Sequence, residues 1–94
     1  AVDALDVAIV VEVERAGAAA IGAAAHLRHK GLSVDVIASG SPRKRFDRAV
    51  KKGALEIVAL NITDGRVERR VKTLSEPRAE AALADHRWAG PAAA

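Results

Sequence analysis

A dense cationic segment is the part of this 94-residue chain whose side chains are best suited to chemistry. Residues 41–54 hold six of the fifteen lysine and arginine side chains and one acid, Asp47. Ammonium and guanidinium groups at this density bind phosphate oxygens, and such clusters are typical of proteins that bind nucleic acid. The alternative is a solvated face that only keeps a small protein soluble. The charge imbalance favours a polyanion, with RNA as the first candidate.

Local signals predict that this cationic segment is an amphipathic helix. Ser41 can cap its N-terminus, Pro42 suits the first helical position, and Gly53 can end it. At about 100° per residue, Lys44, Arg48 and Lys51 lie on the outward face. Four residues are predicted to form the inward face: Phe46, Ala49, Val50 and Gly53.

Histidine and serine side chains give little support for catalysis or for a metal site. His26 and His29 are three residues apart on a predicted helix, a spacing that can hold a metal only if a third ligand converges on it. We predict solvated or capping roles for this pair, and we predict that His86 is a packed helix residue beside Trp88. The serines have no histidine base nearby in the sequence and are interpreted as cap or loop residues: Ser33, Ser39, Ser41 and Ser75. No catalytic residue and no metal ligand are therefore predicted.

A nucleotide-binding enzyme is a weaker alternative. Gly17 and Gly22 follow the first predicted strand, but their spacing does not match the dinucleotide-binding fingerprint, and no phosphate-binding Gly-Lys-Ser/Thr is present. Glu12 and Glu14 would also repel phosphate there. Phe46 is the only aromatic residue in the cationic segment, so the stacking platform of common single-strand RNA readers is absent. We predict no cofactor for this domain, and a small-molecule-binding α/β enzyme stays as an alternative.

The elements that must position these side chains follow from the pattern of apolar residues. Three β-branched runs are typical of strands buried on both faces: residues 5–13, 32–38 and 55–62. An alanine-rich helix over 14–30 joins the first two runs, and the cationic helix joins the last two. Both connections are predicted to be right-handed crossovers between parallel strands.

The pattern of apolar and polar residues changes after residue 62. A turn signal at 63–66 precedes a polar stretch, 67–72, that is typical of an antiparallel edge strand. Ser75 can then cap a last helix from residue 76 to about 88. Its inward face is predicted to hold four residues: Ala79, Ala82, Leu83 and His86. The sequence thus predicts an α/β fold of order β-α-β-α-β-β-α, with a mixed, mainly parallel sheet of four to five strands and three helices on its two faces.

Composition restricts the setting. The absence of cysteine suits a reducing compartment, so we expect a cytoplasmic protein. The formal net charge is +3. No apolar run approaches the roughly 18 residues of a membrane span, and the first residues do not resemble a secretory signal. The start without methionine leads us to expect a piece of a longer protein. We predict one domain over residues 1–88 and a flexible tail over 89–94.

Three segments resemble a known family. The opening strand reads LDVAIVV at 5–11, the first helix ends as AAAHLRHKGLSV at 23–34, and the cationic segment reads RKRFDRA at 43–49, followed by Lys-Gly-Ala at 52–54. Over nearly its whole length the chain resembles the C-terminal anticodon-binding domain of class II aminoacyl-tRNA synthetases, most closely that of the histidine enzymes. The fold of that family agrees with the order of elements predicted above.

The resemblance implies a function and a site. It implies a non-catalytic domain that binds the anticodon loop of tRNA, with tRNA-His as the expected partner and neither DNA nor a membrane. The catalytic domain of the same chain, together with ATP and Mg²⁺, would belong to the parent ligase. Arg70 is expected to pair with a guanine edge, while four basic side chains of the helix contact phosphates. The complete set of expected RNA-binding residues is Ser39, Ser41, Arg43, Lys44, Arg45, Arg48, Arg70 and Lys72.

One departure from the family leaves a second function open. Members usually carry Gly-Glu-x-Glu and several further residues after the third strand, whereas this chain has the shorter Leu-Asn-Ile-Thr-Asp-Gly at 60–65. Glu12 also stands where histidine-type members often have a small residue. The alternative is therefore a paralogue that keeps the fold but serves as a regulatory or protein-interaction module.

Overall fold

The structure, a computed structural model, describes residues 5–74 and 77–88. It contains four strands, three α-helices and a short 3-10 helix, in the order β-α-β-α-β-β-α that the sequence predicts. The elements are β1 (Val7–Val11), the 3-10 helix (Glu14–Ala16), α1 (Gly17–His29), β2 (Val34–Ile37), α2 (Pro42–Lys51), β3 (Glu56–Thr63), β4 (Arg66–Thr73) and α3 (Arg78–Leu83).

The strands form one mixed sheet in the order β2-β1-β3-β4. β1 lies at its centre and runs parallel to both β2 and β3, while β4 pairs with β3 antiparallel. All five residues of β1 are buried, which explains why its sequence is apolar without alternation. The predicted α/β fold with a mainly parallel sheet is confirmed, with four strands.

The two faces of the sheet are covered to different extents. On the first, α1 and α3 pack over strand side chains that include Ile9 and Leu60, and Leu83 of α3 belongs to the same cluster. We call this side the closed face. On the second, α2 packs through Ala49 against residues such as Val10. We call this side the open face, because one helix covers a sheet of four strands.

Alanines let α1 lie close to the closed face. Ala20 and Ala23 are fully buried, and Leu27 fills the space near the end of the helix. The outward side of α1 is also apolar, since Ile21 is 69% exposed. The predicted helix over 14–30 is therefore correct in position, although its first turn is a 3-10 helix.

The last helix is shorter than the sequence predicts. It covers Arg78–Leu83 instead of residues 76–88, and the predicted cap Ser75 lies outside the described residues. The carboxylate of Glu56, which is 2% exposed, accepts hydrogen bonds from the amides of Ala79 at 2.6 Å and Glu80 at 3.4 Å. A strand side chain thus satisfies the first amides of α3, a role that sequence patterns assign to a neighbouring residue.

The chain after α3 folds back onto α1. The Nε2–H of His26 donates to Ala82 O and to Asp85 Oδ1, both at 2.9 Å, and Lys30 donates to the other carboxylate oxygen at 2.9 Å. These hydrogen bonds hold the pKa of Asp85 at about 2. His26 is thus a half-buried residue that ties the two helices together, which corrects the predicted solvated or capping role.

His86 packs beside Trp88 as predicted, but it follows the end of α3 and is not a helix residue. Its ring lies edge-on to Trp88, with centroids 4.6 Å apart, and 4.8 Å from the ring of His26. Burial lowers the pKa of His86. Arg69 of β4 lies 5.9 Å from the Trp88 centroid, so the edge strand also contributes to this cluster.

Candidate nucleic-acid interface

The start of α2 is fixed by signals that lie within a few residues of it. The Ser41 hydroxyl accepts a hydrogen bond from the amide of Lys44 at 3.3 Å, which confirms the predicted N-cap. Gly40, just before it, has a φ of +90°, a conformation that residues with a Cβ rarely adopt. The chain can therefore turn sharply out of β2 and present the first turn of α2 beside the carboxyl ends of β1 and β2.

Two arginines of the predicted set attach α2 to the sheet. Arg45 donates from Nε to Gly40 O at 2.8 Å and from Nη1 to the carbonyl of Val11 at the end of β1. Arg48 donates to the Ser39 hydroxyl at 2.9 Å. The prediction treated both arginines as phosphate ligands, whereas the structure places these guanidinium groups on protein oxygens. These hydrogen bonds hold α2 against the sheet, and both side chains also contribute positive charge.

The outward side of α2 carries exposed cations. Arg43, Lys44 and Lys51 are exposed, and Asp47 lies with Lys44 and Lys51 around a shallow depression of about 280 Å³. Of the basic residues in the cationic segment 41–54, only Lys52 forms an ion pair within residues 5–74 and 77–88. Its partner is Asp35, at 2.5 Å. We call this outward side of α2 the cationic face.

The inward side of α2 differs from the prediction at two positions. Ala49 is buried and Phe46 is half-buried, as expected, but Val50 is 51% exposed and Gly53 is also exposed. The helix ends at Lys51 and covers only part of the sheet, so the side chain of Val50 has no sheet surface to be buried against. Gly53 ends the helix with a φ of +72°, as its type predicts.

The part of the open face that α2 leaves uncovered is a groove of about 390 Å³. Its floor is apolar, Phe46 forms one wall, and basic side chains of β4 form the other. The ammonium of Lys72 lies 5.5 Å from the centroid of the Phe46 ring, close enough for a cation–π interaction. The lining residues are Val10, Glu12, Phe46, Ile57, Ala59, Arg70, Val71 and Lys72.

Sheet register explains why these side chains meet. Val10 of β1 pairs with Ala59 of β3, and Ala59 pairs with Arg70 of β4, so the three residues form one row across the open face. In the next row, Ile57 pairs with Lys72. The long basic side chains therefore lie over a floor of small and branched apolar ones.

Glu12 is a residue of this site that the RNA-binding prediction did not include. Its carboxylate forms an ion pair with the guanidinium of Arg70 at the mouth of the groove. The Glu12 side chain is 17% exposed, whereas that of Arg70 is 70% exposed. An ion pair with one such exposed partner contributes about 0–1 kcal/mol, so Arg70 can leave it at little cost. The sequence did contain a clue to this position: side chains two residues apart on a strand point to the same face, so Glu12 lies on the same side as Val10.

The structure brings all eight predicted site residues to one region. Ser39, Ser41 and the four basic residues 43–45 and 48 cluster at the start of α2, while Arg70 and Lys72 border the groove. The two groups meet at the end of β1, since Arg45 binds the carbonyl of Val11 and Arg70 binds the side chain of the next residue. A continuous surface therefore joins the cationic face to the groove.

Other kinds of site have less support in the described part of the chain. No group of three histidine, aspartate or glutamate side chains is arranged to hold a metal ion there. Among the same residues, no helix has both the length and the apolar character that crossing a bilayer requires. The cationic face and the groove are thus the surfaces on which a function can be argued.

One known protein is similar in sequence to this chain. A histidine–tRNA ligase of Novosphingobium aromaticivorans is 42% identical to the chain over 87 residues. The alignment covers 86% of this chain and 21% of the ligase, so the chain spans about a fifth of the length of that relative. No protein-family profile matches the sequence. The chain is thus similar in sequence to a part of a histidine–tRNA ligase.

Proposed function

We propose that this domain binds tRNA at the anticodon loop, as the non-catalytic C-terminal part of a histidine–tRNA ligase. The observation that carries the proposal is the cationic face, which continues into a groove bordered by two further basic residues, Arg70 and Lys72. The similarity to a histidine–tRNA ligase supplies the choice of RNA among polyanions. Cytoplasmic protein synthesis is the corresponding setting.

The charges and the groove suit a loop better than a duplex. Exposed cations such as Arg43 and Lys44 attract phosphates without reading sequence, and they set the orientation of the RNA. Anticodon bases are unstacked and present their edges, so a shallow site on a sheet can reach them. A groove with an apolar floor, one aromatic wall and one basic wall provides space for one such base.

The chemistry of the ligase would reside elsewhere in the longer protein. The described residues offer an anchor for RNA, and ATP and Mg²⁺ would be bound by the catalytic domain of the parent chain. The isolated domain is therefore expected to bind tRNA without activating histidine.

Salt dependence tests the electrostatic part of the proposal. Binding of tRNA to the 94-residue chain should weaken steeply with salt, with a log–log slope of about −3 to −4 for roughly four to six neutralised phosphates. The double variant Arg43→Gln, Lys44→Gln should reduce the magnitude of the slope by about one or slightly more, since two phosphate contacts are removed. Fluorescence anisotropy with labelled tRNA-His measures both quantities.

A matched control removes the same charge at other positions. Arg15 and Arg87 are exposed and lie outside α2, so replacing both with glutamine should change the slope much less. A flat salt response of the wild type, or equal effects of the two double variants, would contradict the proposal.

A regulatory or protein-interaction module is the second candidate, and one observation favours it. β3 and β4 are joined by a tight turn at Asp64 and Gly65, with Thr63 paired directly to Arg66. A longer connection with two glutamates is what the resemblance leads one to expect at this place. If the domain binds no tRNA and the upstream part of the parent protein lacks the signature motifs of a synthetase, this candidate replaces the first.

A further inference from the structure

We propose that Glu12 and Arg70 act together as a guanine-reading pair at the mouth of the groove on the open face. The inference deepens the proposed function and rests on it. It assigns the specificity to two side chains from different strands, and it gives Glu12 a role as a base acceptor.

The groove has the size and lining for one planar base. Its volume of about 390 Å³ lies within the range of small-ligand clefts. Val10, Ile57 and Ala59 offer an apolar floor, and the Phe46 ring offers an aromatic surface at the side. A base that leaves its stack can recover part of the lost contact against such surfaces.

Glu12 and Arg70 differ in how freely their side chains can move. Glu12 is mostly covered, and its amide donates to the carbonyl of Leu60 at 2.9 Å, which fixes its backbone beside β3. Arg70 is on the edge strand and largely exposed. The guanidinium can therefore move aside for a ligand, while the carboxylate stays at the mouth as a fixed acceptor.

The donors and acceptors of guanine match this pair. An arginine donates to O6 and N7 of guanine, and a carboxylate accepts from its N1–H and N2–H groups, which are next to O6. Adenine has an acceptor at N1 and a donor at N6. The Glu12 carboxylate would therefore face another acceptor, and the Arg70 guanidinium would face another donor. Uracil offers one ring N–H and cytosine offers none on that edge. Guanine is thus the base that satisfies Glu12 and Arg70 at once.

Base analogues in a short hairpin test the assignment atom by atom. The probe is an RNA hairpin whose uridine loop carries one purine: guanine, adenine, inosine or 7-deazaguanine. The wild-type chain should bind the guanine loop about tenfold more tightly than the adenine loop. Inosine, which lacks the N2 amino group, should lose the contact to Glu12, and 7-deazaguanine should lose the N7 contact to Arg70.

Single variants assign each loss to a side chain. Glu12→Gln should bind guanine and inosine loops equally, because the carboxylate that accepts from N1–H and N2–H is lost. Its affinity for the adenine loop should be no lower than that of the wild type, because a negative charge beside the RNA is removed. Arg70→Gln should bind guanine and 7-deazaguanine loops equally. The controls are Glu14→Gln, an exposed acid two residues away, and Arg69→Gln, whose side chain lies on the other face over Trp88. Both controls should keep the preference for guanine.

The outcomes separate this inference from the proposed function. If no hairpin and no tRNA binds, the proposed function fails. If the hairpins bind with the expected salt dependence but without preference for guanine, or if Glu12→Gln keeps the full preference over inosine, only the guanine-reading pair is refuted. Free guanosine monophosphate binding as tightly as the guanine loop would refute RNA as the source of the base. Thermal unfolding of each variant confirms that it is folded.

Discussion

The two faces of the sheet differ in how completely they are covered. On the closed face, two helices pack over the strands, and fully buried side chains such as Ile9, Leu27 and Leu60 fill the space between them. On the open face, one helix covers part of the sheet and leaves a groove lined by Phe46 and the basic residues of β4. At the margin of the closed face, His26 and Lys30 pair with Asp85.

This difference separates stability from binding. Burial of apolar surface without a gap supplies most of the free energy of folding, which the closed face provides. On the open face less apolar surface is buried. The groove there leaves apolar strand residues, an aromatic ring and cations accessible to a partner. Substitutions on the two faces should therefore have different consequences.

The largest effect is expected from a cavity in the closed face. Leu60→Ala removes a fully buried side chain between β3 and the helices and should lower the free energy of unfolding by about 3–5 kcal/mol. Ile57→Ala, three residues earlier on the open face, should cost less, about 2–3 kcal/mol, because the space it leaves joins the groove. Urea denaturation of both variants gives the comparison. Equal losses would mean that the groove does not relieve the cavity.

A smaller effect is expected where the closed face uses a buried charge. Glu56→Gln replaces a carboxylate oxygen near the amides of Ala79 and Glu80 with an NH₂ group, so one donor loses its acceptor. The cost should be about 1–3 kcal/mol. Hydrogen exchange should accelerate at the two amides of α3 before it does elsewhere. The control Glu68→Gln changes an exposed acid on β4 and should leave both measurements unchanged.

The smallest effect is expected at the exposed ion pairs that border the closed face. The pKa of Asp85 is about 2 because Lys30 and His26 donate hydrogen bonds to its carboxylate. This pKa lies below the unfolded value of about 3.9, so the stabilisation is present above about pH 4 and is lost as the pH falls through about 2. Asp85→Asn should lower the melting temperature slightly at about pH 6 and leave it equal to that of the wild type near pH 2.

A matched variant shows whether the loss belongs to these contacts. Asp64→Asn removes a carboxylate in the turn between β3 and β4, where the φ of 52° suits asparagine as well. Its melting temperature should follow that of the wild type across the same pH range. If Asp85→Asn differs from the wild type equally at both ends of the range, the ion pairs do not account for the difference.

Some elements could be predicted because their signals are local. The N-cap of α2, its proline and the glycine that ends it act on the amides and dihedral angles of adjacent residues, so reading neighbours was sufficient. The apolar run of β1 likewise predicted a central strand. The order of elements and the parallel sheet followed from these parts through general rules for strand connections.

Other features depended on partners far away in the chain. Val50 was wrongly placed inward because the extent of sheet beneath α2 is not encoded in the helix itself. α3 is shorter than predicted, and its first amides bond to Glu56, more than twenty residues earlier. The contact of Arg70 with Glu12 joins residues 58 positions apart, so only the sheet register shows that they share one site.

The sequence by itself determined the α/β order of elements and the charge of α2, because helix caps, buried strands and clustered cations act over a few neighbouring residues. The tertiary structure decided which cations stay exposed and which bind protein oxygens, as Arg45 does at the end of β1. It also decided that a groove remains on the open face and that Glu12 lies at the mouth of that groove. These properties arise from distances between strands and helices, which no single segment of the chain contains.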